Sequence, residues 1–110
     1  MAVQKERDDL WWMGQGWEDY LHWQQENPKM VETINDLIKE IRGDPWRGKG
    51  SPEPLKANWS GWWSRRITLE HRLVYRLFDM DKPSKGQTKL ERITLIQIAQ
   101  CRYRYNIMKR

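Results

Sequence analysis

Glu53 stands between Pro52 and Pro54 in the stretch GKGSPEPLKANWSGWWSRRI (48–67), with Lys49 and Lys56 nearby and Trp59, Trp62, Trp63, Arg65 and Arg66 following. Prolines on both sides leave the carboxylate little freedom to drift, which suits a group that must stay within about 0.5 Å of a working geometry. A carboxylate, several cations and clustered aromatics make up the kit for cutting RNA without a metal. That reaction needs a base for a ribose 2′-hydroxyl, cations to bear charge on the phosphorane, and an acid for the leaving 5′-oxygen.

Other chemistries fit less well. The histidines are His22 and His71 and the only cysteine is Cys101, so no metal-ligand spacing exists. GKG is too short, and lacks the following helix, to cradle a nucleotide phosphate. A cofactor is therefore not expected. Cys101 has no partner for an intramolecular disulfide, which fits a reducing compartment, and it reads as a small buried hydrophobe at a strand end. No apolar run approaches the roughly 20 residues that a spanning helix needs. The start, MAVQKERDDL, is charged where a signal peptide would be apolar. We expect a cytoplasmic protein with no membrane contact. Net charge is +5, unevenly spread: residues 1–41 carry four Lys/Arg against nine Asp/Glu, and residues 42–110 carry sixteen against six. The basic portion is the footprint expected of a surface that meets phosphate.

The elements that must position these groups follow from pattern. At 110 residues the chain has room for one domain, read as 9–110 behind a polar lead-in at 1–8. LWWM, closed by Gly14 and Gly16, reads as a first strand. Trp17, Tyr20, Leu21 and Trp23 recur at helical spacing, with Glu18 and Asp19 in the first turn and the end at Asn27. Trp17 and Trp23 are read as core, and His22 as a partly buried residue of a helix face. Pro28 opens a second helix that Gly43 closes, and Met30, Val31, Ile34, Leu37, Ile38 and Ile41 make one apolar stripe on it. The loop 44–54 holds three prolines and two glycines. Strands follow at 62–68, 72–78 and about 92–101, with 79–91 as an extended hairpin connection.

The order β-α-α-β-β-β gives an α+β fold: two N-terminal helices on one face of a small antiparallel sheet, with the other face free. Alternation puts Leu73, Tyr75 and Leu77 toward the helices and Arg72, Val74 and Arg76 away. It sets Arg66 opposite Arg65 and Ile67, and turns Trp63 inward and Trp62 outward. Arg102 and Arg104 share a side if the last strand stays extended. The hairpin 79–91 is read as solvent-exposed filler, or as an added contact with RNA phosphates through Lys82, Lys85 and Lys89.

GKGSPEPLKANWSGWWSRRITLEHRLVYRL, followed by CRYRY, resembles the YoeB/Txe family of toxins within the RelE superfamily, and WEDYLHWQ and INDLIKEIR agree with it, so the resemblance runs from Trp12 to Tyr105. It implies a RelE-like fold and a ribosome-dependent messenger-RNA endonuclease that cuts in the A site of the 70S ribosome. The partners implied are that message and ribosome and a cognate antitoxin; a homodimer stays open. Matched by position, Glu53 takes the place of the general base, Arg72 of the arginine that stabilises the transition state, and Tyr105 of the C-terminal tyrosine. Lys49, Lys56, Arg65 and Arg66 match basic positions that hold RNA, and Arg102 joins them by its charge; His71 matches a structural position.

One position departs from the pattern. The family's tyrosine-histidine-tyrosine reads Tyr103, Arg104, Tyr105 here, and a guanidinium with a pKa above about 12 cannot serve as the acid that the histidine supplies. Three readings stand open. Arg104 stabilises the phosphorane while Tyr105 or a water gives the proton; or Arg104 marks a natural variant of reduced turnover; or it is a deliberate inactivation. A binding module that keeps ribosome or antitoxin contact without cutting is the alternative function.

Overall fold

The computed structural model describes residues 9–83, 86 and 89–104; the lead-in 1–8, Lys85 and Tyr105 lie outside them. Strand β1 (Leu10–Trp12) leads into helices α1 (Gly14–Glu26) and α2 (Pro28–Gly43), followed by β2 (Glu53–Pro54), a 3₁₀ turn (Ala57–Trp59), β3 (Trp63–Arg66), β4 (Arg72–Pro83) and β5 (Leu90–Gln100). They form one five-stranded sheet in the order β1-β5-β4-β3-β2. The α+β plan is as expected, with two additions. Strand β1 joins β5 in parallel, a direction that three residues cannot reveal in sequence, and the Glu53 loop itself contributes a two-residue edge strand, antiparallel to β3.

Helix α2 buries Met30, Ile34, Leu37, Ile38 and Ile41, the stripe read from the sequence except for Val31, which is half-buried. They pack with Trp23 of α1 against Leu73, Tyr75, Ile96 and Ile98 of the sheet. Burying six such side chains at about 1.5–3 kcal/mol each makes this layer the main source of stability. Helix α1 starts three residues before Trp17. Gly14 and Gly16 therefore lie inside it, and at Gly16 the helix crosses the sheet so closely that a Cβ would stand 2.7 Å from the Ile98 carbonyl oxygen. The early start moves Glu18 and Asp19 out of the first turn. Asp19 is buried instead, accepting hydrogen bonds from Gln15 Nε2 (2.8 Å) and the Cys101 amide (3.0 Å). Trp17 is 44% exposed rather than core, lying against Trp12 and Tyr20.

Ile96 and Ile98 face the helices, and so does Cys101. The step from two residues to three is absorbed by a bulge opposite the Val74–Tyr75 step, which turns Gln100 out of the core. The β4–β5 ladder runs on to the pair Pro83–Leu90, so most of the expected hairpin connection is itself strand. On this ribbon Phe78 opposes Leu95 and Met80 opposes Ile93. Both pairs share the face that carries Arg72, Val74 and Arg76.

Candidate active site

Strand register decides which side chains can meet. Glu53 pairs with Ser64, Ser64 with Val74, and Val74 with Gln100. Directly opposed residues share a face, so these four form a row across the face away from the helices. Arg66 pairs with Arg72, two residues along each strand from Ser64 and Val74, which puts both arginines on the same face in the next row. With strands about 4.8 Å apart and a rise of about 3.4 Å per residue, the Glu53 and Arg72 Cα atoms are about 12 Å apart. Glu53 and Arg72 thus lie on one face, two strands and two residues apart.

The loop that carries Glu53 is anchored from beneath. Leu55 is buried with Val74 and Ala99, and Trp59 and Trp62 pack over them, forming a small second core on the face expected to be free. Glu53 stays exposed beside this plug. Upstream, Gly50 at φ +81° gives its carbonyl oxygen to the Arg66 amide at 2.7 Å, and a Cβ there would sit 3.0 Å from both the Arg65 Cβ and the Arg66 carbonyl oxygen. Lys49, Lys56 and Arg66 are exposed around the site.

Arg65 is not available to RNA. It is fully buried on the helix side. Its Nε donates to the Tyr75 hydroxyl (3.1 Å), Nη1 to the Lys49 carbonyl (3.0 Å), and Nη2 to the carbonyls of Asp44 (2.7 Å) and Arg47 (2.9 Å). The Tyr75 hydroxyl in turn donates to the Pro45 carbonyl at 2.7 Å, and burial raises its pKa against the opposing pull of Arg65. Arg65 therefore ties down the loop that leads to Glu53.

Arg72 opens β4, where its Nη1 donates to the carbonyls of Thr68 and Leu69 in the preceding turn at 3.0 and 3.1 Å. Arg76 lies 4.6 Å from the Trp62 ring centre and donates to Gln97 Oε1 at 2.6 Å, so Trp62 does face outward. The last strand does not stay extended past Gln100: Tyr103 adopts φ +62°. Arg102 consequently lies over the rings of Tyr103 and Trp23 at 4.6 and 5.9 Å, away from the open face, contrary to its expected RNA role. Arg104 is exposed, and Gln100 Nε2 reaches its carbonyl oxygen at 3.4 Å and that of Arg102 at 3.0 Å. Gln100 ends the row that starts with Glu53, so the backbone of Arg104 arrives at the far side of the same face. Nothing in the type of Gln100 signals this task. Leu55 does carry a signal, as a lone aliphatic in a polar loop. His71 is structural, its Nδ1 accepting the Tyr103 amide at 2.8 Å, and Cys101 is buried, which pushes its thiol pKa up.

Two helices on one side of a small sheet, with an acid-bearing loop and arginines on the other, define a RelE-type toxin fold. Similarity to known proteins narrows this to a family. The model of the YoeB-like toxins of bacterial type II toxin–antitoxin systems matches residues 12–105. The chain is 48% identical over 96 residues to toxin YoeB of Escherichia coli K12, covering 87% of this chain and 98% of that protein. Among solved structures it resembles the YoeB/ParE toxin from Agrobacterium tumefaciens, with TM-score 0.73 and 42% identity over 88% of this chain and 99% of that one. It also resembles a chain of the YoeB–YefM complex from Staphylococcus aureus, with TM-score 0.69 and 40% identity over 91% and 100%. The chain belongs to the YoeB-like toxins of type II toxin–antitoxin systems.

Proposed function

We propose that this toxin is a messenger-RNA endonuclease that works in the A site of the 70S ribosome, in the cytoplasm, and cuts without a metal. Glu53 takes the proton of a ribose 2′-hydroxyl, whose oxygen attacks the adjacent phosphorus. Arg72 bears the charge that builds on the phosphorane oxygens. The P–O5′ bond then breaks and the 5′-oxygen takes up a proton, leaving a 2′,3′-cyclic phosphate and a free 5′-hydroxyl. Lys49, Lys56 and Arg66 hold the backbone of the message. Arg104 acts as a cation at the phosphorane, and Tyr105 or a water supplies the proton. The cognate antitoxin is the partner that neutralises the toxin, in line with the Staphylococcus aureus YoeB–YefM complex. A homodimer is a further state of this reading, open to sedimentation velocity.

The observation that carries the reading is the register that puts Glu53 in one row of the open face and Arg66 and Arg72 in the next. The test is translation in vitro with a chelator present, with the cut ends mapped. Cyclic phosphate ends on cleaved message support the reading. A second reading rests on Arg104: the family resemblance puts the general acid's histidine there, and an arginine in its place suits a binding module that has lost cutting. Uncut message with retained ribosome binding favours that alternative, and Arg104→His then restores cleavage.

A further inference from the structure

Residues 101–104 leave the sheet, yet hydrogen bonds from α1, β4, β5 and the turn before β4 hold them. Two α1 side chains grip Cys101: Asp19 Oδ2 accepts its N–H at 3.0 Å and Trp23 Nε1 donates to its carbonyl at 2.9 Å. The amide of Arg72 donates to the Tyr103 carbonyl at 3.0 Å, and Gln100 holds the carbonyls of Arg102 and Arg104. The Tyr103 N–H has the His71 ring as its partner, at 2.8 Å. Tyr103 is also the residue under strain, since φ +62° is the left-handed region that a side-chain-bearing residue enters only when its surroundings impose it. That one turn bends the chain back so that the Arg104 carbonyl reaches Gln100.

We infer that His71 is the positioning residue for Arg104: its neutral ring, carrying its hydrogen on Nε2, accepts the Tyr103 N–H at Nδ1 and holds the left-handed turn that brings Arg104 to the open face. A proton on Nδ1 replaces the acceptor with a donor facing a donor, and the turn is released. The consequence for cutting rests on the nuclease reading; the turn itself does not.

The surroundings keep the ring neutral. It stands at a steep angle to the Trp23 indole, 4.9 Å away, and 5.7 Å from the Tyr103 ring. Burial lowers the His71 pKa, and Arg102, His22 and Arg72 push the same way. Against them stands the Glu70 carboxylate, 4.0 Å from Nε2. A base whose folded pKa is depressed costs nothing above its unfolded value of about 6.5 and progressively weakens the folded arrangement as pH falls below that. The docked turn should therefore be intact at neutral pH and loosen on acidification.

The test follows the whole toxin by NMR, recording His71 ring nitrogens and the Tyr103 and Arg104 amides from pH 7.5 to 5. The expected result is that both amides shift with the midpoint of the His71 ring. Asparagine places its Oδ1 where Nδ1 stands and does not titrate, so in H71N the amides should keep their neutral-pH positions throughout, whereas H71A should lose them at every pH. Cleavage on ribosomes should fall about 10- to 100-fold in H71A through kcat, recover in H71N relative to H71A, and lose there the part of its acid limb that follows the His71 midpoint, keeping the part set by the Glu53 carboxylate. Amides that ignore the His71 titration, or an acid limb unchanged in H71N, overturn the inference. A wild-type protein that cuts nothing at any pH refutes the nuclease reading instead, and the amide titration still decides the turn.

Discussion

Arg65 and Arg66 are neighbours of identical type, and replacing each should produce opposite defects. Arg65 spends four of its five N–H groups on the Tyr75 hydroxyl and the carbonyls of Asp44, Arg47 and Lys49. A hydrogen bond from a charged donor contributes about 1.5–3 kcal/mol, so four would sum to about 6–12 kcal/mol. Two effects reduce that figure: the freed loop carbonyls regain water, and methionine escapes the desolvation cost of a buried guanidinium. We expect a net loss of about 3–4 kcal/mol for Arg65→Met, which at roughly 4 °C per kcal/mol lowers the melting temperature by about 12–16 °C. Thermal and urea unfolding measure this, and amide exchange locates it: protection should be lost first at residues 47–50. Arg66 is exposed, so Arg66→Ala should stay within about 0.5 kcal/mol of wild type while weakening RNA binding. If Arg65→Met is within 1 kcal/mol of wild type, with the loop still protected, the loop-tether argument is wrong.

Leu55→Ala should cost about 2–4 kcal/mol by opening a cavity over Val74 and Ala99, and it should slow cleavage further by freeing the Glu53 loop; urea unfolding and a single-turnover assay separate the two effects. Burial raises the Asp19 pKa, so the folded chain takes up this proton before the unfolded chain does, and this group's contribution to stability improves as pH falls toward 4. The stability difference between wild type and Asp19→Asn should accordingly move in favour of wild type from pH 7 to pH 4; a difference independent of pH contradicts it. Because burial pushes the Cys101 thiol pKa up, a disulfide reagent at pH 8 should label Cys101 only as the protein unfolds, and rapid labelling of the native protein would show that the thiol is not shielded.

The parts legible in sequence are those where one periodic signal met one environment. The α2 stripe between Pro28 and Gly43, and the alternation of Leu73, Tyr75 and Leu77, are of this kind. Arg65 shows the limit. Alternation set it on the same side as Ile67, yet its match to a basic position of the resembled family argued for RNA, and geometry prevailed because loop carbonyls could satisfy a buried guanidinium. Trp17 failed for a related reason: helical spacing marks a face but not what covers it, and here Trp12 and Tyr20 cover only part of the ring. The polar run DMDKP hid the extension of β4 because no core lies beneath it to impose alternation. The turn at Tyr103 was invisible, since it depends on His71, thirty-two positions away. Within the candidate site, the shared face of Glu53 and Arg72 has its origin in β2, and the residue types of a two-residue strand carry almost no signal for it.

Everything proposed about cutting depends on Glu53 and Arg72 acting on the same phosphodiester, and single-turnover cleavage of message on programmed 70S ribosomes tests this most directly. Glu53→Gln and Arg72→Ala, each confirmed folded by circular dichroism, should slow cutting by about 10²–10⁴-fold. The double variant should be little slower than the worse of the two, because groups serving one transition state are not additive. Wild-type rates in either folded single variant would contradict the account.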